Sequence, residues 1–579
     1  MKIFFFGIIL FSINLFAQQA DPLLTAKRIA DRIIDETTFN LIDAKQTAAM
    51  DLQVIDFASA SEILNEKYAY AFAKIVVQDT RTLKFGLSYS SPLKIWINKR
   101  LVFQNDRKTK FIFKEIAYSL FCFNDTLILK LNKNSNSIVI GSKLEKGSFI
   151  YLRELTGAEE NPKSKILPVI SGQIFTWPWC FIGYSNNIRT DHRNAELIPL
   201  FVDSLLNGHL DKKYSLLILE PKELKKLAVN PNITFKKESF ADWTYPNGTL
   251  MMTLIKLSDA TGDERYHSFV KKYCSFIQDN LSLFKNQYYE NHDLRGSYYR
   301  IFRKSMLDDA GAPTIPFAEI EIHDQTKDYD PLVNEMANYV MNDQARLHDG
   351  TLCRPEPEKW TVWADDLFMS VPLLLRMGIL TNQEKYFDEA AKQIINFNKY
   401  LFDSKAKLYK HGWFSSTNQK SNVFWGRANG WVVWATSEAI LKLPVNHPKY
   451  KKIETVFRNH LLGILRMQDH SGVWHQILDD KDSFEETSAA AMFIVGLSRG
   501  VMNGILDKSY SEKIFATWSA LQNKITADGI VKDICCGTGI GTDAEFYKTR
   551  QRSNNDPRGL GAVIEAAIEI DMLKKYCNK

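Results

Sequence analysis

The stretch Trp363-Ala364-Asp365-Asp366-Leu367-Phe368-Met369, which runs on into Ser370-Val371-Pro372-Leu373-Leu374, decides how the rest of the sequence is interpreted. Two adjacent acids stand between a tryptophan and an apolar run, a pattern typical of the first turn of a buried helix. An aspartate at such a junction caps the helix or lies at the positive end of its dipole. One isolated junction would therefore indicate helix capping and nothing more.

Similar junctions recur along the chain from about residue 240, and each carries aromatic, acidic or basic residues that suit a sugar site. The helices that follow them are predicted to begin near residues 248, 310, 366, 428, 487 and 559. Their spacing centres on roughly sixty residues, enough for two helices and their loops. Six such hairpins predict a closed double ring of helices, an (α/α)6 barrel, with an open helical solenoid as the alternative. If the inner helices share a direction, all six junctions meet at one mouth of the barrel.

The chain before these helices has a different pattern. Between about residues 65 and 155, short segments such as Leu83–Leu87, Leu93–Ile97 and Thr126–Leu131 are apolar or alternate, and asparagine-rich turns separate them. This pattern predicts a β-sandwich. A carbohydrate-binding module and a packing or spacer domain are both compatible with it.

The predicted architecture is therefore multidomain, with an N-terminal β-sandwich followed by an all-α (α/α)6 barrel. The predicted boundaries are residues 1–20 for a signal peptide, 21–165 for the sandwich, 166–238 for a connecting region and 239–579 for the barrel. A chain of 579 residues with 45% hydrophobic content has enough material for two or more packed domains.

The N-terminus has the features of a secretory signal. Lys2 provides the positive charge, the run from Ile3 to Phe16 is apolar, and cleavage is expected after Ala17 or Ala20. We therefore expect an exported protein, periplasmic or secreted. The apolar run is too short for a comfortable membrane span, and no later stretch is long enough.

Charge and cysteine content narrow the functional classes. The net charge of +6 is modest, and no basic run resembles a nucleic-acid-binding surface. The seven cysteines lack metal-ligand spacing, so neither a structural metal nor a disulfide framework is expected. The glycine-rich segment Cys536–Gly541 neither follows a clear strand nor opens a dinucleotide-binding unit, and no cofactor is expected.

Acids at two consecutive helix starts are the candidate catalytic groups. Asp309 and Asp365 are predicted to face each other across the mouth, where a like-charged neighbour raises the pKa of one carboxyl. A carboxyl with a raised pKa can act as a general acid on a sugar. The doublets Asp308-Asp309 and Asp365-Asp366 leave open which member of each acts, since one acid of each pair can serve simply as a helix cap.

Arg427 is the candidate group for an anionic ligand. It lies between Trp425 and Trp431 with Gly426 and Gly430 nearby, and small residues allow a ligand to approach closely. A guanidinium there can bind a carboxylate through two hydrogen bonds. The alternative is an arginine stacked between two structural tryptophans.

In combination these segments resemble glycoside hydrolase family 105, the unsaturated rhamnogalacturonyl and glucuronyl hydrolases, which are similar also to family 88. The resemblance covers roughly residues 240–579. Its motifs are Trp363-x-Asp365-x-Leu367-Phe368-Met369, His411-Gly412-Trp413, Trp425-Gly426-Arg427-x-Asn429-Gly430-Trp431, Trp474-His475-Gln476, Glu486-x-Ser488-Ala489 and Asn555-Asp556-Pro557-x-Gly559.

The resemblance implies an enzyme that removes a 4,5-unsaturated uronic acid from the non-reducing end of lyase-generated oligosaccharides. In this family the C4=C5 double bond is hydrated, which requires one acid/base carboxyl instead of the two of a retaining glycosidase. Asp365 matches the acid/base position, and Asp309 is the expected second carboxylate, with Asp308 the close alternative. The expected substrate-binding residues are Trp243, His411, Trp413, Arg427 and Trp431.

The chain departs from the family pattern at two places. Asp366 stands where many members have a small or neutral residue, and residues 286–304 resemble an insertion before the second junction. Three other functions remain as alternatives: an inverting glycosidase on saturated uronate-containing glycans, a sugar epimerase with paired histidines, and a non-catalytic glycan-binding protein. Rhamnogalacturonan, ulvan-like and glucuronan-type polymers all remain open as the source of the substrate, and the oligomeric state is not predicted.

Overall fold

The chain divides into two compact units. One comprises residues 1–42, 235–285 and 297–579, and the other comprises residues 43–234 and 286–296. The computed structural model describes residues 21–39, 42–43, 52–56, 68–110, 113–117, 120–143, 149–155, 164–167, 180–183, 215–217, 233–234, 240–289, 298–355 and 358–579. The predicted signal peptide and most of the predicted connecting region lie outside these residues. In the described part of the chain, no helix combines the length and apolar character needed to cross a membrane.

Short apolar and alternating segments of the N-terminal region form strands, as their sequence pattern predicts. The strands up to residue 234 are β1 Ile42–Asp43, β2 Leu52–Asp56, β3 Tyr68–Val77, β4 Arg81–Tyr89, β5 Leu93–Ile97, β6 Arg100–Asn105, β7 Phe113–Ala117, β8 Leu120–Phe123, β9 Asp125–Leu131, β10 Asn134–Lys143, β11 Phe149–Glu154, β12 Ser164–Leu167, β13 Cys180–Gly183, β14 Ser215–Leu217 and β15 Ile233–Thr234.

Two antiparallel sheets make up most of this β unit. The larger has the order β14-β13-β3-β10-β5-β6, with β12 also paired to β3, and the smaller has the order β2-β11-β4-β9. The central pair of the larger sheet runs from Asn134 opposite Val77 to Lys143 opposite Tyr68. Alternate residues of both sheets belong to one hydrophobic cluster, among them Ile75 of β3 and Leu129 of β9. Because alternate residues share one face of a strand, each sheet buries one face in this common core.

The rest of the described chain is helical. The helices are α1 Pro22–Glu36, α2 Tyr245–Thr261, α3 Glu264–Tyr289, α4 Tyr299–Arg303, α5 Leu307–Asp324, α6 Asp330–Asn338, α7 Val371–Thr381, α8 Glu384–Leu401, α9 Gly426–Lys442, α10 Tyr450–Arg466, α11 Thr487–Met502, α12 Ser511–Gln522, α13 Ala544–Lys548 and α14 Pro557–Cys577. Short strands lie in the loops between them: β16 Thr361–Trp363, β17 Phe402–Asp403, β18 Leu408–Tyr409, β19 Gly412–Phe414, β20 Gln419–Lys420, β21 Ile534–Cys535 and β22 Arg552–Ser553.

Six of these helices form a closed inner ring. Each contacts the next in the order α2, α5, α7, α9, α11 and α14, and α14 contacts α2. Their starts, at residues 245, 307, 371, 426, 487 and 557, lie within five residues of the predicted ones. The α/α barrel is therefore confirmed, and the open solenoid is wrong because the ring has no free end.

The outer helices pack against this ring, and the two rings differ in burial. The inner helix α9 buries 15 of its 17 residues, whereas the outer helix α10 buries 8 of 17 along one stripe. A helix that is apolar all round needs neighbours on every side, and an amphipathic helix needs them on one side only. This difference assigns the inner and outer positions.

The first outer helix comes from a part of the chain that we expected to be β-structure. Helix α1 packs against α14 and α2 and belongs to the helical unit. Asp21 caps it through the Leu23 amide, Pro22 occupies its first turn, and its buried side chains recur at three- and four-residue spacing. The predicted sandwich boundary at residue 21 and the barrel boundary at 239 thus differ from the structure, because the β unit is inserted between an outer helix and the first inner helix.

A set of charged side chains crosses the interior of the inner ring, and all of them except Lys256 and Glu319 are buried. In order around the ring they are Glu565 and Glu569 of α14, Lys256 of α2, Glu319 of α5, Arg376 of α7, Glu438 of α9 and Arg499 of α11. We call this set the charge ring. The sign alternates from each helix to the next. Arg376 donates to Glu319 at 2.6 Å and to Glu438 at 3.0 Å, and Arg499 donates to Glu438 at 2.9 Å and to Glu569 at 2.6 Å.

Arg376→Met should lower the free energy of unfolding by about 3–5 kcal/mol, because Glu319 and Glu438 would each lose a buried partner. The measurement is denaturant unfolding followed by the helical circular dichroism of the full chain. Lys451→Met is the matched control, since Lys451 pairs with Glu454 at 2.7 Å but is 83% exposed. Equal effects of the two substitutions would show that the charge ring is no more important than a surface pair.

Candidate active site

Short strands in the loops determine the positions of Asp365 and His411 at the mouth of the barrel. Strand β16 pairs with β19, with Trp363 opposite Gly412, and the Ala364 amide donates to the His411 carbonyl at 2.9 Å. A single 3₁₀ turn, Ala364–Leu367, then follows β16 and holds both acids of the Asp365-Asp366 doublet. The backbone pairing thus brings Asp365 and His411 together at the mouth.

Asp365 is the acid of this turn that remains available to a ligand. Its carboxylate is partly exposed, and its Oδ2 lies 3.2 Å from Nε2 of His411. Neither atom has an aligned hydrogen bond to any other group among the described residues. Burial opposes ionisation, but His411, Arg354 and Arg427 together hold the pKa of Asp365 below its usual value.

His411 is fully buried between aromatic rings. The ring of Trp425 lies 4.5 Å from its imidazole, and that of Trp363 lies 5.5 Å away, edge-on. Its Nδ1 lies 2.8 Å from the hydroxyl of Tyr547. The imidazole is therefore held on both sides with Nε2 towards Asp365.

Asp366, the second acid of the turn, is sequestered. It is fully buried, and Arg354 donates to its carboxylate through Nε at 2.9 Å and also through Nη2. Burial raises the pKa of Asp366 to about 6, against the opposing influence of Arg354. Within this doublet the structure therefore leaves Asp365 facing the mouth, as the family resemblance implied.

The first doublet has the same arrangement, which differs from our expectation. Arg303 donates to both oxygens of Asp309 at 2.6 and 3.0 Å, the Ser305 amide donates at 3.0 Å, and the Asp309 carboxylate is fully buried. Asp308 is instead the partly exposed acid, bound to Arg354 Nη2 at 3.0 Å. Arg303 lies in the predicted insertion of residues 286–304, whose helix α4 brings it to Asp309.

Electrostatics connect Asp308 to Asp365. Burial raises the pKa of Asp308, Arg354 lowers it, and the charges of Asp309 and Asp365 raise it further. The like-charge pair that we expected between Asp309 and Asp365 thus involves Asp308.

A close approach of the two helix starts brings the doublets together. A Cβ placed on Gly311 would overlap the carbonyl oxygen of Met369. Only glycine allows the first turn of α5 to lie this close to the segment after Asp366.

Arg427 occupies the mouth, but its guanidinium already has partners. It donates to the carbonyls of Cys535 and Cys536 at 2.7 and 2.6 Å, and it stacks on the ring of Trp425 at 4.6 Å. The predicted alternative, an arginine stacked on a structural tryptophan, thus holds for one face of the guanidinium. The backbone carbonyls of Cys535 and Cys536 bind its edge.

The three tryptophans that were predicted to contact the substrate pack against other groups of the protein. Trp243 is fully buried and donates to the Asp309 carbonyl at 2.7 Å, and Trp431 is buried against Phe368 and Trp434. Trp413, in β19, packs on Tyr400 of the outer helix α8. Burial in the core prevents Trp243 and Trp431 from stacking directly on a sugar in this structure.

Four site residues were missed at the sequence level. Arg354 links Asp308 to Asp366, Tyr547 contacts His411, and Arg558 donates to the Tyr245 hydroxyl at 3.2 Å. The charges of Asp308, Asp365, Arg427 and Arg558 all act on Tyr245, whose pKa is raised by burial. Tyr245 and Arg558 stand in junction segments and were detectable from their position. Arg354 stands in a loop and Tyr547 in the short helix α13, and neither segment carries such a signal.

Among the described residues, one group combines ligands of a type that binds metals: His267, His323 and Asp324. It lies at the C-terminal end of α5, the end of the barrel opposite the acids. Lys271 and Asp259 also bind this group, at 2.8 and 3.2 Å.

Comparison of the sequence with known families identifies the family of the chain. The family model of glycosyl hydrolase family 88 matches residues 222–574, more than half of the chain. The chain belongs to this family. It is therefore a glycoside hydrolase, and the resemblance found in the motifs is confirmed.

Two relatives that are named as unsaturated uronyl hydrolases are similar to the chain. It is 33% identical over 248 residues to the unsaturated rhamnogalacturonyl hydrolase YesR of Bacillus subtilis, which covers 42% of this chain and 69% of the relative. It is 27% identical over 341 residues to an unsaturated 3S-rhamnoglycuronyl hydrolase of an Alteromonas species, covering 58% and 78%. A crystal structure of a possible family 105 member from Salmonella enterica superposes with a TM-score of 0.51 at 21% identity, covering 62% of this chain and 96% of that one. That superposition supports the barrel fold.

Asp309→Asn and Asp308→Asn should separate the structural acid from the functional one. Asp309→Asn should destabilise the barrel by about 3–5 kcal/mol, because it leaves the buried Arg303 charge without its partner. Asp308→Asn should keep the melting temperature within a few degrees, because Arg354 keeps Asp366 as a partner. It should lower kcat/KM by about 100-fold, because the charge of Asp308 acts on the acid Asp365. The measurements are thermal unfolding and turnover of an unsaturated disaccharide. The reverse pattern would restore Asp309 as the acid of the mouth.

Proposed function

We propose that the protein removes a 4,5-unsaturated uronic acid from the non-reducing end of lyase-generated oligosaccharides by hydrating the C4=C5 double bond, with Asp365 as the acid/base. One observation carries the proposal: the partly exposed carboxylate of Asp365 lies beside the His411 imidazole, at 3.2 Å, while Asp308, Asp309 and Asp366 are all ion-paired with arginine. Hydration needs one such carboxyl, whereas a retaining or inverting glycosidase needs two.

The chemistry follows from this single acid. The Asp365 carboxyl donates its proton to C4, and a positive charge develops at C5 and the ring oxygen. The resulting carboxylate then takes a proton from water as the water oxygen bonds to C5. The hemiketal formed at C5 opens by breaking the bond between C5 and the ring oxygen, and the hemiacetal left at C1 releases the remaining saccharide as an alcohol.

The charges of the mouth favour an anionic sugar. Arg427 and Arg558 both lie close enough to act on the Tyr245 hydroxyl, and their guanidinium groups provide positive potential beside the acids. A uronate carboxylate can bind Arg427 once the Cys535 and Cys536 carbonyls give up their hydrogen bonds. His411 lies 3.2 Å from Asp365 and influences the pKa of that acid.

The epimerase alternative has less support. It requires two histidines on opposite sides of one sugar. His475 is instead engaged with Asp469 at 2.8 Å and with the Ser483 carbonyl at 2.5 Å.

The names of the relatives suggest which sugar follows the uronate. One relative is named for a rhamnogalacturonyl group and another for a 3S-rhamnoglycuronyl group. Rhamnose is common to both names. We therefore propose rhamnose as the sugar released from the unsaturated uronate.

Two finer points of architecture and location belong to the same proposal. The shared core of the two sheets supports a β-sandwich for the β unit, with a packing or spacer role. Residues 1–20, a secretory signal by their sequence, support export to the periplasm or the medium. Both fit an enzyme that meets fragments of extracellular polysaccharides.

The first test follows ultraviolet absorbance of the conjugated double bond across a panel of lyase digests of rhamnogalacturonan, ulvan-like and glucuronan-type polymers. We expect a falling absorbance with rhamnose-containing digests, and loss of that activity by at least about 1,000-fold in Asp365→Asn with product binding retained. Sugar release from saturated chains without loss of absorbance would overturn the hydration mechanism.

A pH profile tests the role of Asp365 independently. Its pKa in the free enzyme is lowered, so the protonated form that can donate to C4 becomes scarcer as the pH rises. We expect kcat/KM to fall with rising pH, and kcat to fall at a higher pH, because the bound uronate charge raises the pKa of Asp365. A kcat/KM that rises with pH across the acidic range would contradict an acid with this pKa.

A further inference from the structure

Tyr547 contacts His411, the neighbour of Asp365. Its side chain is fully buried, and its hydroxyl lies 2.8 Å from Nδ1 of His411. The backbone amide of Gly541 donates to the same hydroxyl at 3.0 Å. Two groups thus converge on one phenolic oxygen.

The direction of these hydrogen bonds follows from the chemistry of the groups. The Gly541 amide can only donate, so the Tyr547 oxygen accepts there. The phenolic hydrogen needs an acceptor of its own, since a buried donor without a partner costs about 1–3 kcal/mol. Among the described residues the acceptor within reach is Nδ1 of His411. Burial also raises the pKa of Tyr547, which keeps its hydroxyl protonated.

A hydrogen bond donated to Nδ1 determines where the imidazole proton lies. A nitrogen that accepts a hydrogen bond carries no proton, so the single proton of the neutral ring is on Nε2. Nε2 is the nitrogen that lies 3.2 Å from Asp365 Oδ2. A chain of hydrogen bonds thus runs from the Gly541 amide through the Tyr547 hydroxyl to His411. Its last group is the Nε2–H of His411, which lies beside Asp365.

We propose that Tyr547 is a positioning residue for this reaction: its hydroxyl sets the tautomer of His411, so that a neutral imidazole presents Nε2–H next to Asp365. The inference rests on the proposed function for its effect on rate, but not for the tautomer itself. It also gives a role to the glycine-rich segment before Tyr547, whose Gly541 amide orients the hydroxyl.

A neutral donor suits the proposed reaction better than either alternative. An imidazole with its proton on Nδ1 would turn a lone pair towards the Asp365 carboxylate and repel it. An imidazolium would stabilise the carboxylate strongly and make it a poor proton donor. The Tyr547 hydrogen bond disfavours both states, because each requires a proton on Nδ1.

The direct test is the nitrogen-15 spectrum of the histidine rings, with the His411 signals identified by their loss in His411→Gln. We expect the Nε2–H tautomer in the wild type. The Asp365→Asn variant is decisive, because it removes the carboxylate that would also select this tautomer. The Nε2–H form should persist there, and it should give way to a mixture in Asp365→Asn combined with Tyr547→Phe. A proton on Nδ1 in the wild type, or an unchanged spectrum in the double variant, would overturn the proposal.

The kinetic test uses Tyr547→Phe in the full chain. We expect kcat to fall by about 10- to 100-fold with little change in KM, since the group next to the acid loses its fixed orientation. We also expect the alkaline limb of kcat/KM to move to higher pH, because Asp365 loses a steady N–H donor and its pKa rises. A purely structural role would lower activity without moving this limb.

The matched control is Tyr266→Phe. Tyr266 is equally buried and its hydroxyl donates to Asp31 at 2.9 Å, but it lies on the outer helix α3. It should lose a similar amount of stability and keep the wild-type pH profile. If the wild type itself fails to hydrate unsaturated uronates, the proposed function fails, and the tautomer spectra still decide the role of Tyr547.

Discussion

The barrel depends on the charge ring that crosses its interior. Each inner helix contributes at least one ionised side chain, and in α5, α9, α11 and α14 that residue stands 12 residues after the start of the helix. At 1.5 Å per residue this is about 18 Å below the mouth, a depth where an unpaired charge is costly. Because the sign alternates around the ring, exchanging two neighbouring hairpins would bring like charges together. Burial of charge thus disfavours every order of helices that places like charges side by side.

Buried ion pairs also determine the arrangement of the acids at the mouth. Both acid doublets have one member held by a buried arginine and one that faces the opening. Arg303 holds Asp309 and Arg354 holds Asp366. These pairs fix the two helix starts and leave Asp308 and Asp365 with different surroundings. Asp308 still shares Arg354, whereas Asp365 faces an imidazole. Two acids that look alike in sequence therefore differ in how readily each carboxyl releases its proton.

The sequence was sufficient to predict the barrel, because glycine, tryptophan and acid junctions mark each inner helix start and burial all round distinguishes these helices from their partners. It was insufficient for the choice between Asp308 and Asp309. That choice depends on Arg303, which an insertion brings within 2.6 Å of Asp309, and no local pattern encodes such a contact. The tryptophans illustrate another limit. Trp243 and Trp431 have the composition of a sugar site, but their rings fill the core beneath it. Helix α1 had a clear amphipathic pattern and a capping aspartate, and its position before a β region concealed its membership in the barrel.

The insertion of the β unit has a consequence for how the barrel is made. Helix α1 is the outer partner of α14, yet more than 500 residues separate Glu36 from Pro557. During synthesis the first helix leaves the ribosome long before the surface that it covers exists. Contacts between such distant segments form late, since closing a long loop costs conformational entropy before the contact repays it. The amphipathic α1 therefore lacks part of its cover until α14 has been made, and its docking onto α14 adds this outer helix to a ring that α14 closes with α2.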